Sequence, residues 1–123
     1  MLTVQDAAAH FSLTSGTVRA RIKGGAIRAQ RINRIYRIEW ADVWACEDGS
    51  MPEKVRVERY KLPLLKKSRV AEKLLLCIRS VERMIDEGLP TRNVWGSVRL
   101  NPEDVRDWMT TNRGIVLPED WYI

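Results

Sequence analysis

The sequence of 123 residues contains no long hydrophobic run, and its longest uninterrupted apolar stretch, at residues 74–78, has only five residues. A helix that crosses a bilayer needs about twenty apolar residues, so the sequence predicts no membrane-spanning helix. The first residues, MLTVQDAAAHF, also lack the basic segment that begins a secretory signal peptide. We therefore expect a protein of the cytoplasm.

Residues that carry catalysis or bind metals are scarce. Cys46 and Cys77 stand alone, without a CxxC motif or a neighbouring histidine, so we expect two free thiols and no disulfide or zinc site. His10, the single histidine, lies beside Phe11 and is expected to be a surface or half-packed residue. The motifs GxxxxGK[ST], HExxH and GxSxG are absent. We predict no enzymatic activity, no cofactor and no metal.

Positive charge is in modest excess, with 21 Lys and Arg residues against 16 Asp and Glu residues and a net charge of +5. The excess is uneven: residues 1–46 carry seven basic and three acidic groups, and residues 64–109 carry nine and seven. Residues 47–63 are balanced. This distribution favours an anionic partner for the two basic segments.

The most informative stretch, residues 13–37, reads LTSGTVRARIKGGAIRAQRINRIYR. Thr14 is a suitable helix cap, Val18 and Ile22 are four residues apart, and the double glycine at 24–25 ends the predicted helix. Two short runs at 27–32 and 35–38 follow, joined by Asn-Arg, and predict a basic β-hairpin directly after the helix. An earlier helix is predicted at 5–11, capped by Thr3, and a later one at 39–46.

The same pattern occurs a second time. A shift of 63 residues matches Leu13 with Leu76 and Val18 with Val81, and beyond the hairpin tip the shift becomes 62. We therefore predict a mainly α protein with small β-hairpins, in two tandem copies. The predicted domains are residues 1–48 and 64–109, joined by a linker at 49–63 and followed by a C-terminal tail at 110–123.

The linker and the tail differ in character. In the linker, Val55 and Val57 alternate with charged residues, which predicts an extended segment. Stretched out, residues 47–63 would span about 55 Å, more than the roughly 34 Å of one DNA turn. The tail ends in apolar residues, and we expect it to pack on the second domain, with a contact to a partner as the alternative.

Both copies resemble the excisionase-like branch of the MerR-like winged helix-turn-helix superfamily. The resemblance rests on LTVQDAAAHFSLTSGTVRARIKGGAI and IYRIEWADVWA in the first copy, and on SVERMIDEGLP and VRLNPEDVRDWM in the second. It covers about ninety of the 123 residues. It implies two tandem winged helix-turn-helix domains, in each of which two helices form the reader, a hairpin forms the wing and a last helix packs behind. It also implies small phage or mobile-element proteins that bend DNA or regulate promoters.

The candidate DNA contacts follow from helical geometry and from the predicted hairpins. With Val18 and Ile22 facing inward, Gly16 and Ala20 lie at the opposite pole of their helix, which would let the backbone approach DNA closely. Trp95, at the second hairpin tip, is expected to pack on its own helix rather than insert at a base step. The predicted DNA-binding residues are Ser15, Gly16, Thr17, Arg19, Lys23, Arg28, Arg31, Asn33, Arg34, Arg37, Arg79, Ser80, Arg83, Arg92, Asn93, Trp95 and Arg99.

In the second copy, acidic side chains are expected to neutralise the helix face that would contact DNA. Arg79 is expected to pair with Glu82, and Arg83 with Glu87, along one helix.

The leading hypothesis is a sequence-specific double-stranded DNA-binding protein, either an excisionase or a small transcriptional regulator. One alternative is an adaptor whose first domain binds DNA while the second holds an integrase, an RNA polymerase or another copy of the chain. A further alternative is DNA recognition like that of a phage terminase small subunit.

Overall fold

The computed structural model describes all 123 residues and is mainly helical, with one two-stranded antiparallel sheet. The predicted mainly α class with a β-hairpin is therefore confirmed. No helix combines the length and the apolar character needed to cross a membrane. The elements in chain order are α1 (Val4–Phe11), α2 (Ser15–Lys23), β1 (Gln30–Ile32), β2 (Ile35–Arg37), α3 (Trp40–Ala45), a connecting 3₁₀ helix (Lys54–Lys61), α4 (Lys67–Leu74), α5 (Ile78–Asp86) and α6 (Pro102–Arg113).

Local sequence signals determine where the first elements begin and end. Thr3, the predicted cap of α1, forms a capping box with Asp6, and the Thr14 hydroxyl accepts a hydrogen bond from the Thr17 amide at 3.2 Å. Asn33 and Arg34 have φ angles of +49° and +67°, as a two-residue type I′ hairpin turn requires. The hairpin pairs Ile32 with Ile35. These short-range predictions are confirmed.

The backbone geometry of the first half recurs in the second half. Ser12 and Leu75 both end a helix in the left-handed conformation, with φ angles of +54° and +56°. Leu2 bridges Ile38, and Leu65 bridges Leu100 in the same antiparallel manner. These equivalences occur at the predicted shifts of 63 and 62 residues. We refer to α1 to α3 with the hairpin as the N-terminal unit, and to α4 to α6 with the tail as the C-terminal unit.

Each unit has a hydrophobic core, but the two cores share side chains. Phe11, Val18 and Val43 are fully buried in the first core, and Val81 and Val105 are fully buried in the second. Two further side chains of the first core come from the second half of the chain, Leu64 and Val94. The predicted second domain therefore contributes side chains to the first core.

The linker prediction is wrong in conformation, because residues 54–61 form a 3₁₀ helix rather than an extended segment. Its alternating valines do not mark a buried face, since Val55 is 89% exposed. Packing against both units holds the segment: Trp44 Nε1 donates a hydrogen bond to the Tyr60 carbonyl at 3.1 Å, and Asn101 Nδ2 donates to the Arg59 carbonyl at 2.8 Å. The linker is thus part of the packed structure.

The C-terminal tail packs on the C-terminal unit, and α6 continues to Arg113 before the tail begins. Trp121 is buried in the second core and donates its indole N–H to the Pro102 carbonyl at 3.1 Å. Leu117 and Tyr122 pack against the same core. The tail therefore enlarges a small core that three short helices cannot complete alone.

Replacing Trp121 by alanine should lower the free energy of unfolding by about 3 kcal/mol, because a large buried aromatic side chain and its hydrogen bond are lost. The measurement is urea unfolding followed by circular dichroism. Val116→Ala is the control, since Val116 is in the same tail but 79% exposed. Equal stability of the two variants would show that the tail does not contribute to the core.

Candidate nucleic-acid interface

The N-terminal unit carries a set of basic side chains without acidic partners. None of its Lys and Arg side chains lies within 4.0 Å of a carboxylate, whereas most ion pairs of the chain involve the connecting helix or the C-terminal unit. All but Arg37 are exposed. The set consists of Arg19, Arg21, Lys23, Arg28, Arg31, Arg34 and Arg37.

The acidic residues of this unit are held at helix starts, away from the cations. The Asp6 carboxylate accepts a hydrogen bond from the Thr3 amide at 3.1 Å, and the Asp42 carboxylate accepts one from the Glu39 amide at 3.4 Å. The bonds to Thr3 hold the pKa of Asp6 below its ordinary value. Because negative charge is favourable at helix N-termini, these carboxylates stabilise α1 and α3 and leave the basic surface unneutralised.

The outward face of α2 is small and basic, as predicted. Gly16 and Ala20 are exposed along the pole opposite Val18, flanked by the exposed side chains of Arg19 and Lys23. Ser15 and Thr17, at the N-terminal end of α2, are half-buried. Arg21 is also exposed. Its guanidinium lies 5.2 Å from the centre of the Trp95 ring.

A cleft of about 340 Å³ separates α2 from the hairpin. Arg19 reaches it from α2 and Arg34 from the hairpin tip, so two unpaired guanidinium groups line one recess. The rest of the lining comes from the start of α1 and from β2, namely Thr3, Val4, Gln5, Ile35 and Tyr36. Two cations converging on one cleft of this size create a suitable position for an anionic group such as a phosphate.

The hairpin extends the basic surface beyond the cleft. Arg28 and Arg31 are exposed together with Asn33 at the tip, and Arg37 is half-buried. The Arg31 guanidinium lies 5.6 Å from the centre of the Tyr36 ring, which restrains it on one face of the hairpin. The structure thus leaves the first-copy candidates accessible.

In the C-terminal unit, Arg79 and Arg83 are exposed on α5 and four residues apart, as predicted. The expected ion pairs within this helix do not form. Glu82 pairs with Lys67 at 3.4 Å, and Glu87 pairs with Arg113. Both acidic groups therefore turn toward other helices, and the two arginines remain free of carboxylates.

The start of α5 carries Cys77 at the cap position. Its thiol lies 3.2 Å from the Ser80 hydroxyl, a contact that lowers the pKa of the exposed Cys77 thiol. This contact also occupies Ser80, a predicted DNA-binding residue that is half-buried. Both cysteines are free thiols, as predicted.

The prediction that Arg99 contacts DNA is wrong, because its side chain is buried between the two units. Its Nε donates to the Phe11 carbonyl at 2.7 Å and its Nη2 to the Ser12 carbonyl at 2.9 Å. A third bond joins Nη1 to the Val98 carbonyl at 2.8 Å. Burial lowers the pKa of Arg99, yet each of its three guanidinium nitrogens donates to a backbone carbonyl.

Arg92 is likewise buried, which corrects its prediction as a DNA contact. Its Nε donates to Glu47 at 2.5 Å, and the other oxygen of this carboxylate lies 2.8 Å from His10 Nε2. His10 is thus fully packed, not at the surface. His10 and Arg92 lie 37 and 45 positions from Glu47, so no local pattern in the sequence could reveal the cluster.

The second hairpin is reduced to one bridge between Val94 and Ser97, and it faces the N-terminal unit. Asn93 is half-buried and accepts the Arg99 amide at 3.2 Å. The Trp95 ring packs 5.3 Å from the ring of Phe11, in the N-terminal unit rather than on its own helices. The residues predicted as a second wing therefore join the units, and we remove Arg92, Asn93, Trp95 and Arg99 from the candidate interface.

The two thiols should differ in reactivity, because burial raises the pKa of Cys46 to about 11 whereas the pKa of Cys77 lies below 9.0. At pH 8 we expect iodoacetamide to alkylate Cys77 more than about tenfold faster than Cys46, as measured by peptide mass spectrometry. The Cys46 rate should still rise between pH 8 and 10, where the Cys77 rate levels off. The Cys77→Ser variant provides the Cys46 rate alone. Equal rates at pH 8 would contradict these assignments.

No group of three or more His, Cys, Asp or Glu side chains is arranged to hold a metal ion. Comparisons of the chain with protein-family models, with curated proteins and with solved structures find no match.

Proposed function

We propose that this chain is a sequence-specific double-stranded DNA-binding protein, an excisionase or a small transcriptional regulator of a phage or mobile element. The carrying observation is the set of seven basic side chains on the N-terminal unit, none of which has a carboxylate partner. Unpaired cations on one unit repel one another and destabilise the folded unit, unless an anionic partner binds there. A duplex supplies closely spaced phosphates along its whole length.

The arrangement of elements supports the interpretation of the N-terminal unit as a winged helix-turn-helix domain. α1 and α2 are joined by a tight turn, α2 exposes a small and basic face, and a basic hairpin follows it. In this proposal α2 enters the major groove, where Gly16 and Ala20 allow close approach and Arg19 and Lys23 reach bases or phosphates. The hairpin lies on the adjacent backbone, with Arg34 at its tip.

The cleft between α2 and the hairpin suits the phosphate backbone. A strand that runs between a reader helix and its wing passes Arg19 on one side and Arg34 on the other, and both line the cleft. Phosphate contacts of this kind fix orientation and register, while base contacts in the groove supply sequence specificity. Lys23 and the face of α2 are then the best candidates for base recognition.

The C-terminal unit contributes a second reader helix in this proposal. Arg79 and Arg83 project from α5 without acidic partners, which is suited to guanine or phosphate contacts. The second hairpin takes no part, since its arginines are buried. The MerR-like resemblance therefore extends to the two reader helices but to only one complete wing.

A second candidate function, an adaptor, is favoured by apolar surface on the C-terminal unit. Leu75 is 91% exposed and Val116 is 79% exposed, and a groove of about 250 Å³ lies between α5 and the end of α6. Exposed apolar surface of this kind is typical of protein contacts. In this case the N-terminal unit binds DNA and the C-terminal unit holds a protein partner.

The Arg19→Ala/Arg34→Ala variant should bind duplex DNA about 30-fold more weakly than the unmodified protein at 100 mM salt, because two phosphate contacts are lost. Fluorescence anisotropy with a 30-base-pair duplex selected from a random pool is the measurement. If about six phosphates are neutralised, the affinity of the unmodified protein should fall roughly a thousandfold from 50 to 200 mM salt. The variant should show a shallower dependence.

The matched control is Lys54→Ala/Arg56→Ala, which removes two exposed positive charges from the connecting helix. This control should bind within about twofold of the unmodified protein if the contacts are local. Equal losses in both variants would point to a general charge effect, and a salt-independent affinity would contradict DNA binding through phosphates.

Replacing Arg79 and Arg83 together by alanine distinguishes the two candidate functions. A second DNA reader predicts a loss of about 100-fold in duplex affinity in the same anisotropy assay, because two charge-assisted contacts disappear. The adaptor predicts unchanged affinity. Folding of the variant is checked by circular dichroism, and both side chains are exposed, so little change in stability is expected.

A further inference from the structure

A continuous surface strip connects the N-terminal ends of the two candidate reader helices. One cleft of about 510 Å³ runs from the α1–α2 turn and Thr17 to Lys66 and Arg99. A second cleft, of about 360 Å³, runs from Lys66 and Arg99 to Ile78, the first residue of α5. Because the two clefts share Lys66 and Arg99, α2 and α5 begin on the same side of the molecule.

The strip is held by a rigid junction, which we call the seam. Arg99 donates to two carbonyls of the α1–α2 turn, and the Leu64 amide donates to the His10 carbonyl at 2.8 Å. The Ser12 hydroxyl donates to the Leu64 carbonyl at 2.5 Å. Buried hydrogen bonds of this kind break only at high cost in free energy, so the two units cannot swing independently.

Lys66 lies at the centre of the strip and is free to bind an anion. Its side chain is exposed, and no carboxylate lies within 4.0 Å of its ammonium group. The adjacent Lys67 is instead engaged by Glu82. Lys66 is not among the residues predicted from the sequence to bind DNA, because its only signal there is its place in a basic pair before α4.

We propose that one uninterrupted duplex lies across this strip, that Lys66 contacts a phosphate between the two reader helices, and that the seam fixes the separation of the two half-sites. This inference rests on the proposed DNA-binding function. It replaces the picture of two domains on a long flexible linker, which could adapt to half-sites at many separations. The recognised site is therefore a single element of fixed length.

The fixed separation has a geometric consequence that a flexible linker does not share. An insertion of five base pairs turns one half-site by about half a helical turn and carries it to the opposite side of the duplex. A rigid pair of reader helices then engages only one half-site and loses the gain from simultaneous binding. A flexible tether would lose little, because effective concentration falls only slowly with the distance to be spanned.

The first experiment measures the affinity of the full chain for duplexes in which five or ten base pairs are inserted between the half-sites. The half-sites are located on a duplex selected from a random pool, by the protections lost in Arg19→Ala and in Arg83→Ala. We expect the five-base-pair insertion to weaken binding about 100-fold, and the ten-base-pair insertion to do so as well, since the seam cannot lengthen. Losses below about threefold for both insertions would overturn the fixed separation.

The second experiment compares Lys66→Ala with Lys54→Ala, a control at an exposed lysine of the connecting helix that also has no ion pair. Lys66→Ala should weaken binding about threefold to tenfold on every sequence and lower the slope of log affinity against log salt by about one. Lys54→Ala should change neither. Equal behaviour of the two variants would remove Lys66 from the interface.

The outcomes separate this inference from the function on which it rests. If the unmodified chain selects no duplex, the proposed function and the inference both fail. If it binds DNA and tolerates the insertions, the function stands and the rigid spacing fails. Arg99→Lys offers an internal check, because a loosened seam should widen the range of tolerated spacings, whereas a general loss of stability would weaken binding at every spacing alike.

Discussion

Two arginines buried between the halves of the chain, Arg92 and Arg99, determine how the rest of the structure is used. A charged side chain removed from water needs an ionic or hydrogen-bonding partner. Arg92 is paired with Glu47 and donates to the Ser50 carbonyl, although its Nη2 has no hydrogen-bond partner, and Arg99 donates to three backbone carbonyls. Because all of these partners except Val98 lie in or beside the N-terminal unit, the hydrogen bonds to them hold the second unit in one orientation.

This junction also explains why the basic surface is concentrated on one unit. The four residues predicted as DNA contacts in the second hairpin, Arg92, Asn93, Trp95 and Arg99, instead take part in the packing between the two units. In the first copy the acidic groups lie at helix caps, where Asp6 and Asp42 accept hydrogen bonds from backbone amides. The result is an exposed cationic face on α2 and the hairpin. The second unit packs against the first and also contains α5, the other helix with exposed arginines.

The parts that sequence reasoning predicted correctly are those determined by neighbouring residues. Thr3 and Thr14 cap helices within three positions, and a two-residue turn at Asn33 fixes the register of the hairpin. The candidate face of α2 followed from helical periodicity alone. Arg99, by contrast, looked like any wing arginine, because its acceptors lie 87 and 88 positions away in the sequence. The 3₁₀ form of the linker was also missed, because the linker is held by contacts with both units, in which Trp44 and Asn101 lie 16 and 42 positions from their acceptors.

The two copies also show that each unit needs the chain that follows it. In the first copy the Trp44 indole donates to the Tyr60 carbonyl of the connecting helix. At the equivalent position of the second copy, Arg106 Nε donates to the Leu117 carbonyl of the tail, at 2.9 Å. The tail therefore takes the place at the second unit that the linker takes at the first. A unit of three short helices buries too little apolar surface alone, so both segments are structural parts of the repeat rather than appendages.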